Sequence, residues 1–275
     1  MKKVRIFAQN RAAVFGILIL AIFTFMAIAA PLLTPYDPVA QDLSSVFQSP
    51  SWTHPFGTDD LGRDMLARIM YGGRYTLMIG VAAVGLATII GVPLGLISGY
   101  YGGWIDMVIQ RITDIMLAFN PFLLALVLVA VLGVGLNSVI IAAGIGAVPQ
   151  FIRLTRGQAL SLREEVYVEA AQAFGERSSA IIRRHLLRNS WTPIIVFATL
   201  NVGLTILVAA GLGFLGLGVQ APLPEWGTML GEGRAYIFYA SYTTTLPGLA
   251  IFLVVLAFNM AGDGLRDALD PSLRV

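Results

Sequence analysis

The chain has no cysteine among its 275 residues, so disulfide frameworks, thiol nucleophiles and cysteine-held metals are excluded. Histidine is nearly as scarce. His54 and His185 are far apart in sequence, and neither has metal-ligand spacing to a second ligand type, so no metal site is expected. Charge is the third shortage: Asp, Glu, Lys and Arg make up 12% of the residues, against ~25% in a typical soluble domain. No segment alternates polar and apolar residues over ~10 positions, as the strands of a membrane barrel do. No Gly-x4-Gly-Lys-Ser/Thr loop is present, so the chain has no nucleotide engine of that type. What is abundant is apolar: 57% of the residues are hydrophobic. The class is an all-α membrane protein, a polytopic helical bundle.

One helix needs ~20 apolar residues to cross a bilayer. The uncharged stretch 12–36 is 25 residues long, exceeds the ~7–15 residues of a signal-peptide core, and reads as a retained first span near Ala12–Leu33. Pro31, Pro35 and Pro38 end it. A second span falls within the uncharged run Tyr75–Ile105. The 38-residue run Ile115–Ile152 divides at the turn formers Gly133 to Ser138, giving spans three and four. The 36-residue run Asn189–Pro224 supplies the fifth, starting near Trp191, and the sixth lies near Thr244–Gly262. Six transmembrane helices are expected.

Lys and Arg set the orientation, because positive residues stay on the cytoplasmic side. With the amino terminus inside, the inner segments hold Lys2, Lys3, Arg5, Arg11, Arg111, Arg153, Arg156, Arg163, Arg177, Arg183, Arg184, Arg188, Arg266 and Arg274, which is 14 of the 18. The outer segments hold Arg63, Arg68, Arg74 and Arg234. Both termini and the charged island 153–188 are therefore expected in the cytoplasm. The organisation follows: 1–40 is the cytoplasmic terminus and first span, 41–74 an extracytoplasmic segment. Residues 75–265 form a five-helix core with a cytoplasmic loop at 153–190, and 266–275 a cytoplasmic tail.

No charged residue is expected in the middle of a span; Asp114, Arg153 and Asp263 fall at span ends. A proton-driven carrier needs a titratable relay within the bilayer, and an intramembrane protease needs a paired catalytic set; neither is present. Energy must reach such a chain from outside it. Gly91, Gly95, Gly99 and Gly103 recur every fourth residue, which suits close packing of helices in lipid. Gly211-Leu212-Gly213-Phe214-Leu215-Gly216 matches a dinucleotide-binding pattern literally, yet it lacks the strand that motif must follow, and no nucleotide is expected there.

A membrane pore with no motor and a large polar loop suggests a motor that docks. Within the island, Gly157 to Ala173 reads as helix and Gly175 as its left-handed cap, with a second, basic helix from Ser178 to Leu187. The segment Asp59 to Arg74 reads as an interfacial amphipathic helix with internal ion pairs.

Glu169-Ala170-Ala171, followed by Gly175 in register, resembles the cytoplasmic loop of binding-protein-dependent ABC importer permeases. His185 and Leu187 occupy the later positions of that pattern, and Arg188 stands where proline is usual, leaving Pro193 to start the next helix. Phe56 to Asp64 with Tyr71 to Arg74, and Phe214 to Val219 with Pro222 and Trp226-Gly227, are similar to the C-type subunits of dipeptide and oligopeptide permeases. Nickel, glutathione and antimicrobial-peptide permeases share these motifs. The resemblance implies a type I ABC importer permease fold in the bacterial inner membrane, working by ATP-driven alternating access. It implies a homologous second permease, two cytoplasmic ATPases that hold the ATP and Mg, and an extracytoplasmic binding protein as partners. The chain itself would not be an enzyme and would bind no cofactor. Glu169, Ala170, Ala171, Phe174 and Gly175 would contact the ATPase, and Asp59, Asp60, Arg63 and Asp64 are candidate contacts for the binding protein.

Overall fold

The computed structural model describes residues 10–269. The expected inward positions of Lys2, Lys3, Arg5 and Arg274 lie outside them. Among the described residues there are helices and no strand beyond an isolated bridge between Thr58 and Asp64. The helices are α1 Arg11–Leu33, α2 Met65–Tyr101, α3 Gly103–Leu117, α4 Pro121–Leu132 and α5 Leu136–Leu162. They continue with α6 Val166–Ala173, α7 Ser178–Ile181, α8 Arg188–Phe214, α9 Trp226–Gly233 and α10 Tyr242–Leu269. Five rods are long and apolar enough to cross a membrane, and a sixth crossing exists if α3 and α4 form one broken span.

Local chemistry sets most of the boundaries. The Asn10 side chain accepts from the Ala13 N–H at 3.1 Å to start α1, and Asp64 accepts from the Ala67 N–H at 2.7 Å to start α2. Asn120 caps α4 at the Phe122 N–H, with Pro121 in the first turn, where the missing donor costs nothing. α2 ends at Gly102, whose φ of 64° suits a residue without a side chain.

Several boundaries differ from expectation. α2 begins at Met65 rather than Tyr75, because the capped turn at Asp64 carries the helix ten residues into the outer loop. At 37 residues it is about 55 Å long, well beyond a ~30 Å hydrocarbon core. The third span is not one rod: α3 and α4 meet at 91°, and the 12 residues of α4 reach only about 18 Å. The helix expected over 157–173 breaks at Arg163–Glu165, where Glu165 adopts an extended backbone (ψ 138°) so that Val168 turns into the core. The second, basic helix is not separate either. α7 passes through a π-helical stretch, Ile182–Leu187, straight into α8, forming one rod from Ser178 to Phe214. Pro193 therefore lies inside that rod and starts nothing.

α2 packs most extensively against α5, and the glycine stripe is the reason. A Cβ on Gly91 would come within 2.6 Å of Phe151, one on Gly95 would overlap Thr155 Oγ1, and one on Gly99 would meet Ala159 at 2.6 Å. Glycines four apart thus receive α5 residues four apart, and the backbones close together. Gly103 is not part of this seam; it lies beyond the turn with open space around it. The core runs through α2, α5, α8 and α10 and includes the fully buried Trp226, whose Nε1 donates to the Ile69 carbonyl at 2.9 Å.

The two ends of the bundle are distinct. Asn10 donates to Asp267 and Arg163 to the Gly99 carbonyl, so the start of α1, the end of α10 and the ends of α2 and α5 share one side. Arg74 donates to the Ala27 and Ile28 carbonyls, placing the end of α1 beside the start of α2 on the other.

Candidate functional site

On the first side, α6 projects from the bundle as a short helix. Val168 is buried and Ala171 half-buried against the core, while Val166, Glu169, Ala170 and Phe174 are exposed. Phe174 is 91% exposed. The helix closes on Gly175 at φ 77°, with Glu176 N–H donating to the Ala171 carbonyl at 3.0 Å and Gly175 N–H to the Gln172 carbonyl at 2.9 Å. That pair of bonds is the Schellman ending, which requires a left-handed residue at this position.

The loop is tied down from the far side of that turn. Glu176 takes His185 Nε2 at 2.9 Å and Arg184 at 3.3 Å, and the Asn189 side chain donates to the Tyr167 hydroxyl at 3.1 Å. The His185 hydrogen bond is the main reason the Glu176 carboxyl sits below its ordinary pKa. Burial is the main reason the Tyr167 hydroxyl sits above its own. His185 lies in the π-helical stretch, so the exposed helix is clamped to the base of α8.

On the opposite side, the expected amphipathic helix over Asp59 to Arg74 divides into a buried turn, 59–64, and the first turns of α2, which start at Met65. Asp59, Arg63, Asp64 and Arg68 are all under 7% exposed. Asp59 accepts from the Leu61 and Arg63 N–H groups at 2.9 Å and from Arg63 Nε at 2.6 Å. Asp64 caps α2 with one oxygen and meets His54 Nδ1 at 2.9 Å with the other. The expected internal ion pairs are present, with Arg63 and Arg68 both meeting Asp59, at 2.6 and 3.4 Å, and the network also leaves the segment. Arg63 and Arg68 both reach Glu232 at the end of α9, at 3.4 and 2.9 Å. Of the four candidate binding-protein contacts, only Asp60 keeps a partly exposed side chain, and it accepts from Tyr236 at 3.4 Å.

Sequence reasoning did not single out Glu225 or Glu232. Glu225 is 1% exposed and caps α9, accepting from Gly227 and Thr228 N–H at 2.9 Å and from Thr76 Oγ1 at 3.1 Å. Burial raises its pKa, and those donors oppose the rise. Its partner Thr76 is 149 residues away, a separation that no local pattern exposes. The Gly211–Gly218 segment is the neighbouring joint. Gly216 (φ 79°) ends α8 with a second Schellman turn, and Gly213 and Gly218 are in close backbone contact beside Thr228.

A helical bundle with one exposed, glycine-capped helix between its fourth and fifth crossings defines a class of membrane transporter. The chain belongs to the family of binding-protein-dependent transport system inner membrane components, which it matches over residues 91–275. Residues 3–50 match the N-terminal transmembrane domain of oligopeptide transport permease C. A dipeptide transport system permease of Alkalihalophilus pseudofirmus is 53% identical over 97% of this chain and 88% of its own length. A di/tripeptide permease of Pseudomonas aeruginosa is 44% identical over 98% and 90% of the two chains. A glutathione transport permease of Escherichia coli is 45% identical over 98% and 89%. The fold is that of the inward-facing MetNI methionine ABC transporter, with TM-score 0.60 at 20% identity over 75% of this chain and 98% of that one. The chain is thus a multi-pass inner-membrane permease with the type I ABC importer fold, and no group of metal-binding side chains occurs among its described residues.

Proposed function

We propose that this chain is one of two membrane-spanning subunits of an ATP-driven importer of dipeptides and short oligopeptides. The 53% identical relative is named for dipeptide transport, and its match extends over nearly the whole chain. Glutathione is the second reading, favoured by the 45% identical relatives. The complex contains a homologous permease, two cytoplasmic ATPases that bind ATP and Mg, and an extracytoplasmic binding protein. This chain performs no hydrolysis.

The observation that carries the coupling role is α6. Its outer face offers Glu169 for a basic partner, Ala170 for close approach and Phe174 as an anchor, while Ala171 and Gly175 fix its seat and its end. ATP-driven closure of the ATPases moves this helix, and the clamp at Glu176 passes the motion to α8. The binding protein docks on the outer loops, where Asp60 and the neighbouring exposed surface remain available and Asp59, Arg63 and Asp64 hold the loop's shape.

The test is ATP-driven uptake of labelled dipeptide, with glutathione as competitor, by the complete complex in proteoliposomes. Reversing the charge at a buried contact costs ~2–5 kcal/mol, so Glu169→Lys should weaken ATPase docking more than about tenfold while leaving membrane insertion intact. Gly175→Val should give an inserted subunit in a complex whose ATPases hydrolyse ATP without moving peptide. Normal uptake by both variants would remove the coupling role, and uptake driven by a proton gradient alone would remove the importer reading.

A further inference from the structure

Two helices change character at the same level on the side opposite α6. The uncharged run that contains α1 ends at Asp37, and the long uncharged run of α2 starts just after Arg74. Arg74 donates to the Ala27 and Ile28 carbonyls, so the two changes lie side by side. Next to them is a groove of about 440 Å³ whose wall includes Tyr36, Tyr71, Tyr75, Pro35 and Pro224. Among the described residues, Asp37 is the one charged side chain in that wall.

The groove is shaped before anything enters it. Proline fixes its own backbone and has no N–H, so such a wall keeps its form and leaves the bonding to side chains. Pro31 also removes the donor that the Ala27 carbonyl would otherwise meet in α1, and Arg74 Nε takes its place. Nη2 goes to Ile28 at 3.0 Å. The guanidinium is thereby held over the Tyr71 ring, 4.8 Å from its centre, and Nη1 makes no hydrogen bond among the described residues. Asp37 is exposed and accepts from the Val39 N–H at 2.9 Å with Oδ1, while Oδ2 makes no bond there. The hydroxyls of Tyr36, Tyr71 and Tyr75 are likewise without a hydrogen bond among the described residues, although all three residues are half-buried.

A positive point, a negative point and three aromatic rings therefore meet where both helices leave their uncharged runs. That level is the membrane interface, where tyrosine is favoured and headgroups lie. An apolar track leads down from it. Ile28, Pro31 and Leu32 share a side of α1, Pro31 lines the groove, and Ile28 and Leu32 are 71% and 90% exposed.

We propose that the groove seats the headgroup of a phospholipid that carries a primary ammonium. The phosphate meets Arg74 Nη1 and the tyrosine hydroxyls, through charge-assisted bonds. The ammonium meets Asp37 and the ring faces, which attract cations. It has three donors, and Asp37 Oδ2 and the hydroxyls can accept them. A glycerol headgroup brings no positive charge to answer Asp37. The acyl chains lie along Ile28 and Leu32, so the lipid braces α1 against α2. The site does not depend on which solute the chain carries.

The test reconstitutes the complete complex in vesicles of equal parts phosphatidylethanolamine and phosphatidylglycerol. After gentle solubilisation, native mass spectrometry counts the lipid retained. The wild type should prefer the ethanolamine lipid about threefold, the scale of an exposed ion pair. Asp37→Asn keeps the Val39 bond through its amide oxygen, so the loop survives and the preference should vanish. Other surfaces of the complex also hold lipid, and a photo-cross-link reports the place. A phosphatidylethanolamine with a diazirine near its glycerol should join the segments 28–39 or 71–75 in the wild type, and do so less in Asp37→Asn. Equal retention of the two lipids by the wild type would overturn the site, as would an unchanged preference in Asp37→Asn. Cross-links found only on the second permease would do the same, since they would mean that a protein surface fills the groove.

Discussion

At the residue scale, the glycines divide into those that fill a seam and those that turn the chain. Gly95 is of the first kind: an added Cβ would overlap Thr155 Oγ1 and approach the Ile152 carbonyl to 2.5 Å. Overpacking of this kind costs typically ~1–3 kcal/mol. Gly95→Ala should therefore lower the melting temperature of the detergent-solubilised subunit. Gly85→Ala, where the added carbon meets nothing within 4 Å, should leave it unchanged or raise it. Equal melting curves for the two would show that the α2–α5 seam is slack. The seam was legible in the sequence because a four-residue repeat of glycine has few other physical uses in a membrane helix. Its last member was not. Gly103 continues the spacing but follows the positive-φ turn at Gly102, and spacing alone does not reveal where a helix stops. The outer ion-pair network was illegible for a different reason: the pairing of Arg68 with Glu232 spans 164 residues, and only the fold brings them together.

At the element scale, the cytoplasmic loop shows how local propensity and tertiary packing divide the work. Arg163, Glu164 and Glu165 are good helix formers, so the sequence reads straight through them. Burial of Val168 turns the chain at Glu165 instead, and the exposed helix becomes a separate unit. Its Gly175 ending was legible, since few residues other than glycine end a helix this way. The clamp behind it was not, because His185 and Glu176 acquire their relation only when the π-helical stretch sets the spacing between them. The clamp has a pH signature with a definite sign. A carboxyl whose pKa is depressed in the folded state contributes stability above its ordinary range, near pH ~4.3, and loses it as pH falls through the lower folded value. Amide protection at Glu176, whose N–H closes the Schellman turn, should hold steady from neutral pH down to that range and fall below it. Glu176→Gln should be less protected at neutral pH and lose the acid step. An unchanged hydrogen-exchange profile in that variant would mean that α6 holds its place without the clamp.

At the scale of the whole molecule, the fold class was legible because membrane spans are long, uncharged and bounded by proline and glycine. The 91° break between α3 and α4 was not, since an apolar run reads the same whether its helix is straight or folded at Asn120. The finished bundle sorts its charges by side. One end holds the network of Asp59, Arg63, Arg68 and Glu232, in which the arginines are paired and buried. The other holds Arg153, Arg156 and Arg163 at the end of α5 and Arg177, Arg183, Arg184 and Arg188 around the clamp. Buried, neutralised arginines exert little pull on topology, whereas exposed ones on short loops resist translocation. The end bearing α6 should therefore face the cytoplasm, and with it both ends of the chain. The absence of native cysteine makes this direct to measure. Ser51 and Ser179 are exposed at opposite ends of the bundle, and neither side chain contributes to the core. Ser51→Cys should react with an impermeant maleimide in intact spheroplasts, and Ser179→Cys should react only after the membrane is opened. The reverse pattern would invert the molecule, and labelling of both in sealed cells would break the six-crossing count.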